Sequence, residues 1–522
     1  MKSITSDIVV VGTGIAGISA AIETVKANKN TILVSSGKFC SGASFYPGTW
    51  GLGMVVAEDE EDKKDFVDTI MDVGCGIPNE KLVTTLIENA ESYIKDFMNL
   101  GIKFRRPIDG ENVIPCFDKK PRKWYGFDFK TAKIAFSKLK EDKNLNILEN
   151  TNLIKIIKDE KDSFSSAIFI TDEGEYIQIF AKAIIIATGG FTNIYKYNLS
   201  TKDMALNAHI PAVEVGCKLI NMEFIQFIPA YITPHYKTIF NERVFNYITL
   251  KNKNGESILK DNLPNFLNEK QVLKERSTHG PFTSRLNSKY VDINMFKEYL
   301  KSKEGIRFTY PKDILNIKDT LIFNYFKWLE SKGALDDSEI IIIPFAHAAN
   351  GGIDINEKAE TSIKGIYSAG EVTGGVHGAD RIGGLSTVNA MVFGKIAGKE
   401  SVKYIDKKEI EEPNSKKDIE KYFIEENNLV KEVKNYDLEE KITYIRELMY
   451  NNASIIRKKK DVKEAIKIIE NIESEFNIYN YLYNSQQSKK AFVLRNYIKM
   501  SKVVLNSILN RENSLGSHYI ED

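Results

Sequence analysis

A short, continuously apolar run, Asp7-Ile8-Val9-Val10-Val11, passes directly into Gly12-Thr13-Gly14-Ile15-Ala16-Gly17. An apolar-periodic stretch from Ile18 to Ala27 then leads to a second run, Thr31-Ile32-Leu33-Val34. Apolar runs of this length, bounded by turn residues, read as strands buried on both faces, and the stretch between them reads as a helix. Gly12, Gly14 and Gly17 therefore fall where a dinucleotide fingerprint needs them, after a strand and at the opening of a helix. Glycine lets the backbone turn tightly there and approach a pyrophosphate at the helix amino terminus. The acid expected about 20 positions on, to hold a ribose hydroxyl, is absent; the second run ends in Ser35-Ser36. A serine can still bond a hydroxyl, but a free nicotinamide dinucleotide is disfavoured.

Two more apolar runs end in glycine turns: Ala183-Ile184-Ile185-Ile186-Ala187 before Thr188-Gly189-Gly190, and Gly365-Ile366-Tyr367-Ser368-Ala369 before Gly370-Glu371. Ligands of an open parallel sheet sit at the carboxyl ends of its strands, so turns far apart in sequence can meet on one ligand. FAD is long enough to need such separated contacts. The expected class is α/β: a Rossmann-like, doubly wound FAD-binding domain (1–222 and 341–405), interrupted by an α+β capping domain (223–340) of short strands and polar loops. A C-terminal helical domain of two or three helices is expected over 417–522, from patterns such as Ile455 to Ile472 and Lys490 to Leu509.

Composition narrows the class further. A chain of 522 residues is too long for one small binding module. Lys plus Arg number 72 against 71 Asp plus Glu, a net charge of +1, which gives no general attraction to nucleic acid. The Lys458-Lys459-Lys460 run reads as a solvated helix surface. Cys40, Cys75, Cys116 and Cys217 are too scattered for a metal clip or a disulfide framework, so any iron-sulfur relay must come from another chain. No apolar stretch reaches the 18 or more residues of a membrane span. The apolar run at Ile8 is too short for a signal core, and a cytoplasmic protein without direct membrane insertion is expected.

The segments SGASFYPGTWG (41–51), ATGG (187–190), MEFIQFIP (222–229), AHAANGGIDI (346–355), GIYSAGEVTGGVHGADRIGGLS (365–386) and RENSLGSHYIED (511–522) run from end to end of the chain. In these it resembles the flavoprotein family of succinate dehydrogenase, fumarate reductase and L-aspartate oxidase, in which a serine at the Ser35 position also occurs. The resemblance implies that Gly12, Gly14 and Gly17 take the FAD pyrophosphate, that Ser35 takes the adenosine side, and that Gly42, Ala43 and Ser44 form the approach to the flavin. Ala16, Gly51, Thr188, Gly189, Asp203, Glu371, Arg381, Ser386 and Thr387 complete the implied cofactor set. Some members attach FAD through a histidine near residues 43–45; this chain has none, so non-covalent FAD is expected.

The family exchanges hydride with a carbon-carbon bond next to a carboxylate, which a histidine and an arginine hold. A planar guanidinium pairs with both carboxylate oxygens and draws charge from the reacting carbons. His347 and Arg381 match these positions, their other readings being a core histidine and a structural salt bridge. The proton carrier of the family is an arginine on the cap, for which Arg285 is the first choice and Arg276 the second; it needs a nearby relay partner. His377, His209 and His518 read as structural, and His235 and His279 are minor candidates on the cap.

One departure bears on substrate. Where many members have a second substrate histidine before proline, this chain has Ile228-Pro229, followed by Asn241-Glu242-Arg243-Val244-Phe245. An apolar side chain cannot hold a second carboxylate, so the expectation is an unsaturated organic acid other than fumarate, reduced at its activated double bond. The alternatives are an L-aspartate oxidase, and a flavoprotein that passes electrons within a complex, fed by a separate electron-donor protein.

Overall fold

The computed structural model describes residues 1–49, 51–106, 114–335, 339–406, 419–424 and 437–521. Five parallel strands form the central sheet, in the spatial order Ile366–Ser368, Ala183–Ile186, Ile8–Val11, Thr31–Val34, Leu145–Leu148. The first four are the apolar runs legible in the sequence. The fifth is an edge strand, half-exposed and less apolar, and leaves no such signal.

Successive side chains of these strands enter two different cores, which is why the runs show no polar alternation. Ile8, Val10, Leu33, Ala183 and Ile185 pack with Ile18, Ile22, Val388 and Met391 on a helical side. Val9, Val11, Ile32, Val34, Ile184 and Ile186 pack with Leu153, Phe164, Phe169 and Ile179 on the other. Each such burial is favourable by roughly 1.5–3 kcal/mol before entropy is counted. Helices Ile15–Lys26 and Leu385–Ile405 cover the first side. A four-stranded sheet, ordered Lys2–Thr5, Tyr176–Phe180, Phe164–Thr171, Thr151–Lys158, covers the second. The expected doubly wound arrangement is corrected accordingly: an apolar run reports that a face is buried, and either a helix or a sheet can bury it.

The first helix starts at Ile15, three residues ahead of the expected Ile18, with Gly14 as its N-cap, so Gly17 falls inside its first turn. In the inserted region, Ile225–Thr233 pairs antiparallel with Ile340–Ala349, and Ile306–Phe308 pairs with the latter's other side. Helices Glu269–Arg276, Lys289–Ser302 and Thr320–Ser331 make it more helical than its sequence suggests. Tyr231, Phe240, Phe245, Phe308, Tyr325 and Phe326 share its apolar core.

Three helices, Leu438–Ala453, Lys459–Glu475 and Ser488–Asn510, pack together near the C-terminus; the expected start at 417 lies outside the described residues. The pattern expected to run helically from Ile455 is broken by a buried turn. There Arg457, 0% exposed, donates to the carbonyls of Ser454 and Glu223 and contacts His518 Nδ1. Lys458 and Lys460 are exposed. No helix among the described residues is long and apolar enough to cross a membrane.

Candidate active site

Because the central strands are parallel, their glycine turns emerge on one edge, and all three line a single cleft of about 1170 Å³, its open mouth included. Gly12 has φ +118°, and a Cβ there would lie 2.1 Å from the Ala187 carbonyl oxygen, so only glycine lets the first turn pass the second. Gly14 and Ala16 line the same wall. Gly17 does not: a Cβ on it would lie 1.8 Å from the Gly12 carbonyl oxygen. Its smallness lets the helix press onto the strand, and the expected pyrophosphate contact is corrected for this residue. Gly51 is also off the cleft wall, with a Cβ position 2.7 Å from Arg105 Nη2, so its expected cofactor contact is corrected too.

Ser35 Oγ pairs with Thr13 Oγ1 at 2.7 Å and donates to the Lys38 carbonyl at 3.1 Å, fixing the two turns to each other. Gly42, Ala43 and Ser44 line the cleft. Ser44 Oγ accepts from Ile15 N at 3.1 Å, so it stands at the positive end of the first helix. Thr188 Oγ1 accepts from Ala208 N at 3.1 Å. Gly189, with φ +73°, turns the second loop into the cleft. Asp203 faces Gly37, whose Cβ position lies 3.0 Å from the carboxylate. Glu371 Oε1 accepts from Ala349 N at 3.1 Å. Burial raises the Glu371 pKa, opposed by that bond, by the Arg381 charge and by the Gly190 amide. Glu371 thus ties the second and third glycine turns to the strand Ile340–Ala349.

That strand delivers His347 through a bulge: Ala346 pairs with Phe227 and Ala348 with Gln226, leaving His347 as an extra residue. A bulge re-aims its side chain, and His347 lines the cleft. Burial, helped by the Arg381 charge, pulls its pKa down to about 3, so it works as a neutral imidazole. Arg381, 8% exposed, donates through Nε to Gln226 Oε1 at 3.1 Å and through Nη1 to Ser386 Oγ at 3.1 Å. Its Nη2 has no hydrogen-bond partner among the described residues. Burial lowers its pKa, against the pull of Cys116 and Glu371. Thr387 lies beside Ser386 on the wall.

Arg285 is off the cleft wall. Its Nε donates to Asp380 Oδ2 at 2.7 Å, and its guanidinium carbon sits 5.5 Å from the Phe117 ring centre. Arg276, the second choice, is engaged throughout: it bonds Asp292 at 2.7 and 3.1 Å and the carbonyls of His279 and Gly280. It is a buried brace of the cap. His279 is buried between the Pro281 carbonyl and Ser288 Oγ, and His235 bonds Thr238 at 2.7 Å. Ile228 is 5% exposed in the apolar core with Phe227 and Phe345 and does not line the cleft.

Three residues escaped sequence reasoning as cleft or site groups. Gln226, 0% exposed, holds Arg381, and its signal was a lone amide in the apolar run IQFIP. Asn389 stands one helical turn after Ser386. His377 lies four residues ahead of Arg381, where its sequence context suggests only a loop residue. His377 Nδ1 and Asn389 Oδ1 line the cleft as buried atoms without a partner among the described residues. Buried polar atoms need partners; these, with the Gly12 cradle, fit a long polar ligand such as a dinucleotide.

A glycine-built cleft at the carboxyl edge of a parallel sheet, with a helix amino terminus at one end and an arginine and a neutral histidine at the other, defines a dinucleotide-dependent oxidoreductase. The chain belongs to the FAD binding domain family, whose model matches residues 7–387, and residues 443–522 match the fumarate reductase flavoprotein C-terminal model. It is an FAD-dependent oxidoreductase of the fumarate reductase and L-aspartate oxidase family. It is 28% identical to an FAD-dependent oxidoreductase of Methanocaldococcus jannaschii over 99% of this chain and 93% of the relative. To the L-aspartate oxidase of Vibrio cholerae it is 23% identical over 99% of this chain and 95% of the relative. The fold is similar to that of an E. coli quinol fumarate reductase chain, with TM-score 0.76 at 20% identity, covering 100% of this chain and 92% of that one.

Proposed function

We propose that this flavoprotein reduces the activated carbon-carbon double bond of an unsaturated organic acid that presents one carboxylate. The observation that carries the reading is Arg381, buried beside neutral His347, with Nη2 without a hydrogen-bond partner among the described residues, while Ile228 supplies no second carboxylate ligand, being buried in the apolar core off the cleft. FAD, held non-covalently because residues 43–45 are Ala-Ser-Phe, supplies hydride exchange when bound. Gly12, Gly14 and Ala16 take its pyrophosphate, Ser35 its adenosine side, and Glu371, Asp203, Thr188, Gly189, Ser386 and Thr387 the rest of its length. Arg381 pairs with the substrate carboxylate and His347 hydrogen-bonds it as a neutral donor. Both favour the charge that develops on the carboxylate as the neighbouring carbon becomes enolate-like. Arg285 delivers the proton. On a division into residues 1–222 with 341–405, 223–340 and 417–522, Arg381 belongs to the first unit and its partner Gln226 to the second. Electrons come from a separate donor protein, since the four cysteines are dispersed.

Removing the guanidinium tests the assignment: Arg381→Ala is expected to raise KM and lower kcat together, and unchanged values for both would refute it. An L-aspartate oxidase activity is the second reading, supported by the likeness to the Vibrio cholerae enzyme and by Ser35 at the strand end. It requires L-aspartate to bleach the bound flavin under anaerobic conditions; no bleaching removes it.

A further inference from the structure

Resting on that reading, we propose that Asp380 is the positioning and relay partner of Arg285: it fixes this guanidinium against the loop that carries Arg381 and returns to it the proton that the substrate takes. Asp380 precedes Arg381 in the glycine-rich loop and is 1% exposed. A carboxylate so deeply buried costs stability unless it is fully paired, and this one is only half paired. Its Oδ2 accepts from Arg285 Nε at 2.7 Å and from Thr283 Oγ1 at 2.6 Å, whereas Oδ1 is buried with no partner among the described residues. Thr283 Oγ1 also accepts from the Arg285 amide at 3.3 Å, closing a small triad of Asp380, Thr283 and Arg285.

The pairing is through Nε, so Nη1 and Nη2 of Arg285 have no hydrogen-bond partner among the described residues and are available to a substrate. The loop carrying Asp380 is clamped from two sides. Ala379 N donates to the Gly74 carbonyl at 3.1 Å, and Ser517 donates to the Ala379 carbonyl through N at 3.1 Å and Oγ at 3.0 Å. The cap segment is tied to the same tail, Ser284 N donating to the Gly516 carbonyl at 2.7 Å. Asp380 therefore holds Arg285 to a fixed frame.

Burial raises the Asp380 pKa to about 6, against the Arg285 charge and the bonds from Thr283 and Arg285. The Cys75 thiol faces it from the turn after the helix Glu60–Val73, and feels its charge. The Arg381 side chain turns away to Gln226 and Ser386, and His377 on the same loop is held neutral by burial. A carboxyl poised near working pH suits a relay. In the reduction, one substrate carbon gains the hydride that FAD supplies and its neighbour gains a proton from Arg285. The neutral guanidine, in the tautomer that carries both Nη as NH2 and leaves Nε unprotonated, recovers a proton at Nε from the Asp380 carboxyl, which recovers its own from solvent along the 27%-exposed flank of Arg285.

The test uses the holoprotein, reduced anaerobically with dithionite and reoxidised by acrylate, crotonate, cinnamate or fumarate across pH. Asp380→Asn is expected to keep its flavin and its KM while kcat falls about 10²-fold, and to lose the inflection near pH 6. Thr283→Val removes a bond that lowers the Asp380 pKa, so it is expected to move that inflection to higher pH; this variant decides if Asp380→Asn loses flavin. Wild-type rates and pH profile in Asp380→Asn, or an unmoved inflection in Thr283→Val, overturn the inference. If no acid reoxidises the wild-type protein, the substrate reading fails by itself. The pair is then judged by infrared titration of the carboxyl, whose midpoint is expected to rise in Arg285→Ala; an unmoved midpoint overturns the coupling.

Discussion

At the dinucleotide end of the cleft the walls are backbone: Gly12, Gly14, Gly42 and Gly189 shape them, and their geometry leaves no room for a larger residue at Gly12. At the proposed substrate end the walls are side chains, His347 and Arg381, each held by a partner from a distant segment: Gln226 by hydrogen bond to Arg381, and the bulged pairing with Ile225–Thr233 for His347. A backbone-built site follows from local sequence once strand and turn are known. A side-chain site depends on which distant strand lies opposite and in what register.

The largest effect is expected at the backbone end. Gly12→Ala puts a Cβ 2.1 Å from the Ala187 carbonyl at φ +118°, a clash added to roughly 1–3 kcal/mol of backbone strain. The purified variant is expected to lack flavin absorbance, and a fully flavinylated Gly12→Ala would break the comparison. At the side-chain end, Arg381→Lys keeps the charge but loses the bidentate fork. It is expected to cost about 10²-fold or more in kcat/KM while flavin content stays near wild type; equal loss of both would erase the distinction between the ends.

Acid should weaken the protein through its buried imidazoles. Burial holds His209, His347 and His518 at about 3, whereas an unfolded histidine takes up a proton near 6.5. The unfolded state then binds more protons, so stability is lost as pH falls below about 6.5, by roughly 1.4 kcal/mol per pH unit for each histidine. Asp380, raised from 3.8 to about 6, acts in the opposite sense between those values, as do Glu242, Asp292 and Glu371, also raised by burial; these four carboxyls stand against five imidazoles once His279 and His377, likewise lowered by burial, are counted. Urea unfolding at pH 5.5 is expected at a lower midpoint than at pH 7.5, and an equal midpoint contradicts this. The smallest effect is Ser44→Ala, which removes the bond to Ile15 N and should cost about 1 kcal/mol, read as a small fall in thermal midpoint with flavin retained.

The four central strands, the first glycine turn and the convergence of three turns were legible because each is a local pattern: an apolar run buried on both faces, followed by glycine. The β-sheet on the second face was not, since Val9 and Val11 would look the same beneath a helix. Gly17 and Gly51 matched a motif by position, but what each meets, the Gly12 carbonyl and Arg105, is set by packing. His347 and Arg381 were found through resemblance. The bulge that aims His347 depends on its pairing with Phe227 and Gln226 some 120 residues away, and Asp380 could be tied to Arg285 only after the chain had folded.

The central claim is a cleft that holds FAD and grips one carboxylate at the Arg381 end. Anaerobic reoxidation of the chemically reduced flavin by a panel of unsaturated acids tests it most directly. The account predicts faster reoxidation by a monocarboxylate such as crotonate or cinnamate than by fumarate. Fumarate as the fastest oxidant would contradict it.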